Sequence, residues 1–308
     1  MFRLRWVLPL VALLLLVAAF LQSKRLPMTF TTAPAAAQSM GAAAAWNKVG
    51  SYIIAPSPSI AAAAPSPSLA IAPESNASGA PPSTPPAASA APQQIVLQTM
   101  DGAYTDDQLG ALEQPLADAL RYVQERTGMT LKAPVTVQFS NEQGCSLSGV
   151  AYTKERRIVL FVCPDTELRR ATAILAHEFV HQLAADHYGA PHYNADLMLS
   201  EGLAQWGMGK YALDEHPNFR SLVQKEYPYD LLPLTLDSRE VESFVILRHL
   251  YDQWASYAEW IIATKGRTAL DELYIGGDGR RPGSAPYERV LGMPLDTAEQ
   301  QWKAWIEQ

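Results

Sequence analysis

The stretch that decides the reading is Ala171-Thr-Ala-Ile-Leu-Ala-His177-Glu178-Phe-Val-His181-Gln-Leu-Ala-Ala185. Its apolar residues fall on every side of a helix, and a helix of that kind is normally buried. Two imidazoles and a carboxylate interrupt it. Burying such groups without partners costs several kcal/mol, so something must satisfy them. His177 and His181 are four residues apart and share one helix face, close enough for both rings to meet a single ion. Glu178 is turned by about 100° from His177 and borders that position without coinciding with it.

Together these residues form the His-Glu-x-x-His signature of zinc hydrolases, in which the two histidines hold the metal and the glutamate acts as base. Catalytic zinc takes three protein ligands and keeps a fourth position open for water. Two candidates for the third ligand follow. His187 completes His-Glu-x-x-His-x-x-Ala-x-x-His, which resembles the metzincin pattern except that Ala184 stands where that pattern has the glycine that lets the chain turn sharply back to the metal. Glu201 lies in Leu199-Ser-Glu201-Gly-Leu-Ala-Gln205-Trp206, on a second predicted helix reached through a turn at Gly189–Pro191. Two neighbouring helices then present His, His and Glu around one tetrahedral centre.

His177–His181 followed by Ser-Glu-Gly-Leu-Ala-Gln resembles the gluzincin metallopeptidases, in particular the peptidase MA-like group. The similarity runs from about Val135 to the C-terminus, with Leu231-Leu-Pro-Leu, Ser243-Phe-Val and the terminal Trp302–Trp305 helix also in register. The resemblance implies a thermolysin-like zincin domain with His177, His181 and Glu201 as zinc ligands, Glu178 as general base, and a peptide or protein as substrate. Gln205, one helical turn beyond Glu201, is expected to hold a ligand histidine by a hydrogen bond. Two departures stand out. Related sequences often carry Trp and Pro shortly before the ligand glutamate, where this chain has Asp196-Leu-Met198. They also often carry a tyrosine ahead of the Ser-Phe-Val helix to steady the oxyanion, where this chain has Ser238-Arg-Glu240. Tyr227, Tyr229 and His249 are the candidates for that donor.

Outward from the motif, the sequence predicts an α+β fold, a small mixed sheet followed by a mostly helical part. Ile95–Thr99, Val135–Phe139, Val150–Thr153 and Ile158–Cys163 read as strands, the last two joined by a hairpin turn at Lys154–Arg156. A helix over Leu116–Val123 is expected to start or kink at Pro115. Further helices are predicted at roughly 167–187, 195–211, 239–263, 267–274 and 295–307. If Ile158–Cys163 lies at the sheet edge, an extended peptide can pair with it through its main chain. Gly276–Gly283 is glycine-rich but lacks the strand-to-helix setting of a phosphate cradle, and reads as a surface loop. Trp302 and Trp305, on the last helix, read as core.

The domain, residues 94–308, carries 19 basic and 30 acidic side chains of the chain's 24 and 31. An acidic domain without a basic run excludes nucleic acid as the main partner, since phosphate binding needs clustered Lys and Arg. Ahead of it, residues 26–93 are rich in Ala, Pro and Ser and are expected to be a disordered linker, because such composition buries too little apolar surface to offset ordering. Residues 1–25 hold an apolar run, Trp6–Leu21, flanked by Arg3, Arg5, Lys24 and Arg25. That pattern is a signal peptide or N-terminal membrane anchor. The poor cleavage site at Leu21-Gln-Ser23 favours the anchor, placing the domain outside the cytoplasm, tethered or secreted. In that setting Cys145 and Cys163 are candidates for a disulfide. Neither sits in a nucleophile context, and no Gly-x-Ser-x-Gly elbow is present.

Overall fold

Strand Ile95–Thr99 (β2) lies parallel to Val135–Ser140 (β3), and the helix between them, Asp106–Thr127 (α1), makes the crossover that parallel neighbours require. A computed structural model describes residues 49–53, 94–141, 147–163 and 165–308, the first stretch as backbone alone. Ser148–Tyr152 (β4) and Arg157–Phe161 (β5) form the expected hairpin, and β5 inserts parallel to β3. A short strand, Val49–Ile53 (β1), pairs antiparallel with β4, giving the sheet order β1-β4-β5-β3-β2. With the helices that follow, the fold is α+β.

Three expectations change here. The apolar run at 158–163 does not form an edge. It belongs to β5, which has β4 on one side and β3 on the other and is buried along Ile158–Leu160, as an internal strand must be. β1 falls within the stretch expected to be a disordered linker. Val49, Tyr52 and Ile53 favour strands, and a composition averaged over the whole segment hides them. The rest of 26–93 lies outside the described residues, as does the 1–25 segment. Pro115, finally, lies inside α1 and does not start it. The helix begins at Asp106 because Thr105 and Gln108 form a capping box, and Pro115 sits on the solvent-exposed side, where water can take up the carbonyl it leaves unpaired.

After the sheet the chain is helical: Leu168–Tyr188 (α2), Leu197–Met208 (α3), Phe219–Glu226 (α4), Phe244–Lys265 (α5), Arg267–Ile275 (α6), Tyr287–Leu291 (α7) and Leu295–Glu307 (α8). α2 packs against α1 and β4, and α3 lies between α2 and α5. Every residue of α2 from Ala171 to Asp186 is buried, as apolar residues on every side of the helix demand. Two glycines let neighbouring elements come close to α2 and α3. A Cβ at Gly202 on α3 would sit 2.6 Å from the Trp254 carbonyl oxygen on α5. A Cβ at Gly149 on β4 would sit 2.7 Å from Ile174 and 2.8 Å from the Glu178 carboxylate. Trp302 is fully buried and donates to Ser256, whereas Trp305 is half-buried beneath the Arg220 guanidinium. Cys163 is disulfide-bonded; Cys145, the chain's other cysteine, lies outside the described residues. Among the described residues no helix is long and apolar enough to cross a membrane.

Candidate metal centre

α2 brings His177 and His181 onto one face, and α3 brings Glu201 against them. The Nε2 atoms of the two rings lie 3.2 Å apart. Glu201 Oε2 lies 3.4 Å from His177 Nε2 and 3.3 Å from His181 Nε2. Among the described residues this is the only such group of His, Cys, Asp or Glu side chains. All three residues are at most 1% exposed.

The donor set fits a tetrahedral cation. Three atoms some 3.2–3.4 Å apart are the corners of one face of a tetrahedron whose arms measure about 2.0–2.1 Å, the usual zinc–nitrogen and zinc–oxygen distance. The ionisation states fit as well. Burial holds the His177 pKa below its ordinary value despite the nearby carboxylate, leaving the ring neutral and able to coordinate. Burial by itself would raise Glu201, but His181 and the hydrogen bonds from both imidazoles hold it well below the usual carboxylate range.

Glu178 stands beside this group on α2, with its carboxylate against Gly149 of β4. Its carboxylate is fully buried and finds no well-aligned hydrogen-bond partner among the described residues; only a weak backbone hydrogen bond from Ala151 favours its charged form. Burial, and then the negative charge on Glu201, push its pKa well above the ordinary value. Gly149 makes the pocket possible, because any side chain there would occupy the space of the Glu178 carboxylate.

Gln205 hydrogen-bonds His177 and donates through Nε2 to Asp252 Oδ1 at 2.9 Å, and Asp252 in turn accepts from Tyr227 at 2.9 Å. His187 is exposed on the last turn of α2 and takes no part in the cluster. The three candidate oxyanion donors are exposed or already engaged. Tyr229 is 98% exposed. Tyr227 and His249 stack on each other 3.7 Å apart, and Tyr227 spends its hydroxyl on Asp252.

Three groups that sequence reasoning missed surround the cluster. Tyr251, on α5, is buried with its ring 5.9 Å from that of His177, near enough to feel the charges of both Glu201 and Glu178. Burial and those charges keep its hydroxyl protonated and thus a donor. Its signal in the sequence was a polar tip on the buried face of α5, shared with Leu247 and Trp254. His192 is wholly buried, bonded through Nδ1 to the Tyr274 hydroxyl at 2.8 Å, and kept neutral by burial with a pKa lowered to about 3.

The third is Arg280. The Gly276–Gly283 segment is not a free surface loop. Its Arg280 guanidinium lies 3.3 Å from Glu201 Oε1 and 3.5 Å from Ser200 Oγ. Asp196 anchors the segment. Its carboxylate caps α3 through the Met198 amide and also accepts from Gly283 N, Ala285 N and the Tyr287 hydroxyl, all at 3.0–3.1 Å. Glycine richness reads as a loop in sequence because nothing local reports what a distant carboxylate will hold. Compared with known proteins, the chain matches no family model, no curated protein and no solved structure.

Proposed function

We propose that this protein is a zinc-dependent metallopeptidase of the gluzincin type, held outside the cytoplasm by its N-terminal segment or secreted. The observation that carries the reading is the meeting of His177, His181 and Glu201 at mutual distances of 3.2–3.4 Å, with a buried carboxylate, Glu178, beside them. His177 and His181 through Nε2, and Glu201 through Oε2, would hold the ion. Zinc, when bound, supplies Lewis acidity, making a water acidic near neutral pH and polarising a carbonyl.

The chain's own groups do the rest. Glu178, with its raised pKa, accepts the attacking water's proton and later delivers it to the leaving amine. Tyr251 donates a hydrogen bond towards the charge that develops on the scissile carbonyl oxygen. Gln205, itself fixed by Asp252, holds the His177 ring in orientation. The burial of the whole group excludes bulk water, which strengthens each of these interactions.

The test is made on the full chain with unfolded protein and peptides as substrates. Wild type is expected to bind about one zinc and turn over, and Glu178→Gln to keep the metal but lose about 10²–10⁴ in rate. Wild-type turnover in Glu178→Gln would remove it as base. Glu201→Ala is expected to lose zinc and His187→Ala to keep it; the reverse result would overturn the ligand set. A second reading is a zincin-fold domain that binds a cell-wall component or partner protein without cleaving it. The enclosure of the cluster favours it, and full zinc occupancy without turnover across a broad peptide library would establish it.

A further inference from the structure

The two oxygens of Glu201 face different neighbours. Oε2 is turned to the imidazole pair at 3.3–3.4 Å, while Oε1 is 3.3 Å from an Arg280 nitrogen. Arg280 arrives from 79 residues further along the chain. Its side chain is 15% exposed, so most of the guanidinium has left water for this contact.

The loop is built to put it there. Gly277 lies against the backbone of Ala195 and Asp196 so closely that a Cβ would collide with both. Asp196 grips Gly283, Ala285 and Tyr287 from the N-terminus of α3, the helix that carries Glu201. Ser284 accepts from the Asp278 amide at 3.1 Å and closes the loop on itself. Arg280 has a φ of 54°, the left-handed region that non-glycine residues occupy only when their surroundings impose it.

We propose that Arg280 is a positioning residue of the metal centre: it clamps Glu201 Oε1, so that Oε2 alone stays turned to the imidazole pair and Glu201 serves as a one-oxygen ligand. The inference rests on the metal-centre reading above. A glutamate held only by its own three rotors can swing both oxygens towards an ion. A planar, permanently charged fork on one oxygen removes that freedom and supplies the counter-charge a buried carboxylate needs before metal arrives. Partners of this kind, bonded to a ligand rather than to the metal, govern affinity by fixing the ligand's orientation.

The experiment measures zinc affinity of the full chain by competition with a chromogenic chelator, for wild type, Arg280→Gln and Arg280→Ala. It also records the visible spectrum of each loaded with Co²⁺ and the thermal midpoint of each without metal. Arg280→Ala is expected to bind zinc about 10–100-fold more weakly. Its cobalt bands should lose intensity as Glu201 engages both oxygens and coordination rises above four, and Arg280→Gln, which keeps one donor but no charge, should fall between. Wild-type affinity and an unchanged cobalt spectrum in either variant overturn the proposal, and Arg280→Gln decides alone if the alanine variant does not fold. A wild type that binds no zinc sinks the metal-centre reading itself, a result distinguishable from failure of the Arg280 clamp.

Discussion

Asp252 shows how far a single buried carboxylate reaches. It is 1% exposed, receives Gln205 and Tyr227, and has its pKa raised to about 6 because burial outweighs Arg248 and those two hydrogen bonds. An acid whose folded pKa exceeds its unfolded value binds its proton more tightly when folded, so stability falls as pH rises from about 4 to about 6 and is level above that. The displacement of some two pH units corresponds to at most about 3 kcal/mol. Urea unfolding of the metal-free chain between pH 4 and 7 should show this fall in wild type and a shallower one in Asp252→Asn; equal slopes would remove Asp252 as its source. At this scale the pairing of His177 and His181 on one face was legible in sequence, because a four-residue spacing on a helix is a local fact. Asp252 was not. Its neighbours Arg248, Leu250 and Gln253 say nothing of Gln205, 47 residues away.

Between elements, the decisive fact is how closely α3 approaches α5. Gly202 permits it, and the atom a side chain would strike is the Trp254 carbonyl oxygen, a backbone atom that cannot turn aside. Gly202→Ala is therefore expected to force the helices apart at a cost of about 1–3 kcal/mol. It should also weaken zinc binding, since Glu201 is the adjacent residue. Thermal unfolding and chelator competition read the two effects, and a variant with wild-type values in both would show the approach to be slack. The sheet offers the complementary lesson. Strands β2 to β5 were legible from their alternation and β-branched content, but β1 was not, nor was the place of β5 inside the sheet, since an apolar run reads alike as a buried strand at any position. Strand order depends on which partner arrives on each side, and here β3 and β4 both do.

For the whole molecule, a metal that binds the folded chain and not the unfolded one acts as a stabilising ligand. At a free zinc concentration about 100 times its dissociation constant the gain is about 2.7 kcal/mol, which for a domain of this size is roughly 5–10 °C of thermal midpoint. Removing zinc with a chelator should lower the midpoint by that amount in wild type and leave Glu201→Ala unmoved. A shift of equal size in Glu201→Ala would place the stabilising metal elsewhere. An ion held by His177, His181 and Glu201 would draw on α2 and α3 at once, so its loss would be felt across the packing of both helices against α1, β4 and α5.

Sequence alone determined what is periodic or adjacent: a helix too apolar to be exposed, two imidazoles on one of its faces, a carboxylate turned by one residue, and an α+β order of elements. Tertiary structure decided what distant stretches contribute to that face. Arg280 lies 79 residues beyond the glutamate it holds, and Tyr251 stands beside His177 from another helix altogether. The reason is physical. A spacing within one helix is fixed by the hydrogen bonds of that helix, whereas a meeting between helices is fixed by the shapes of all the side chains packed between them, and these do not act until the chain has folded.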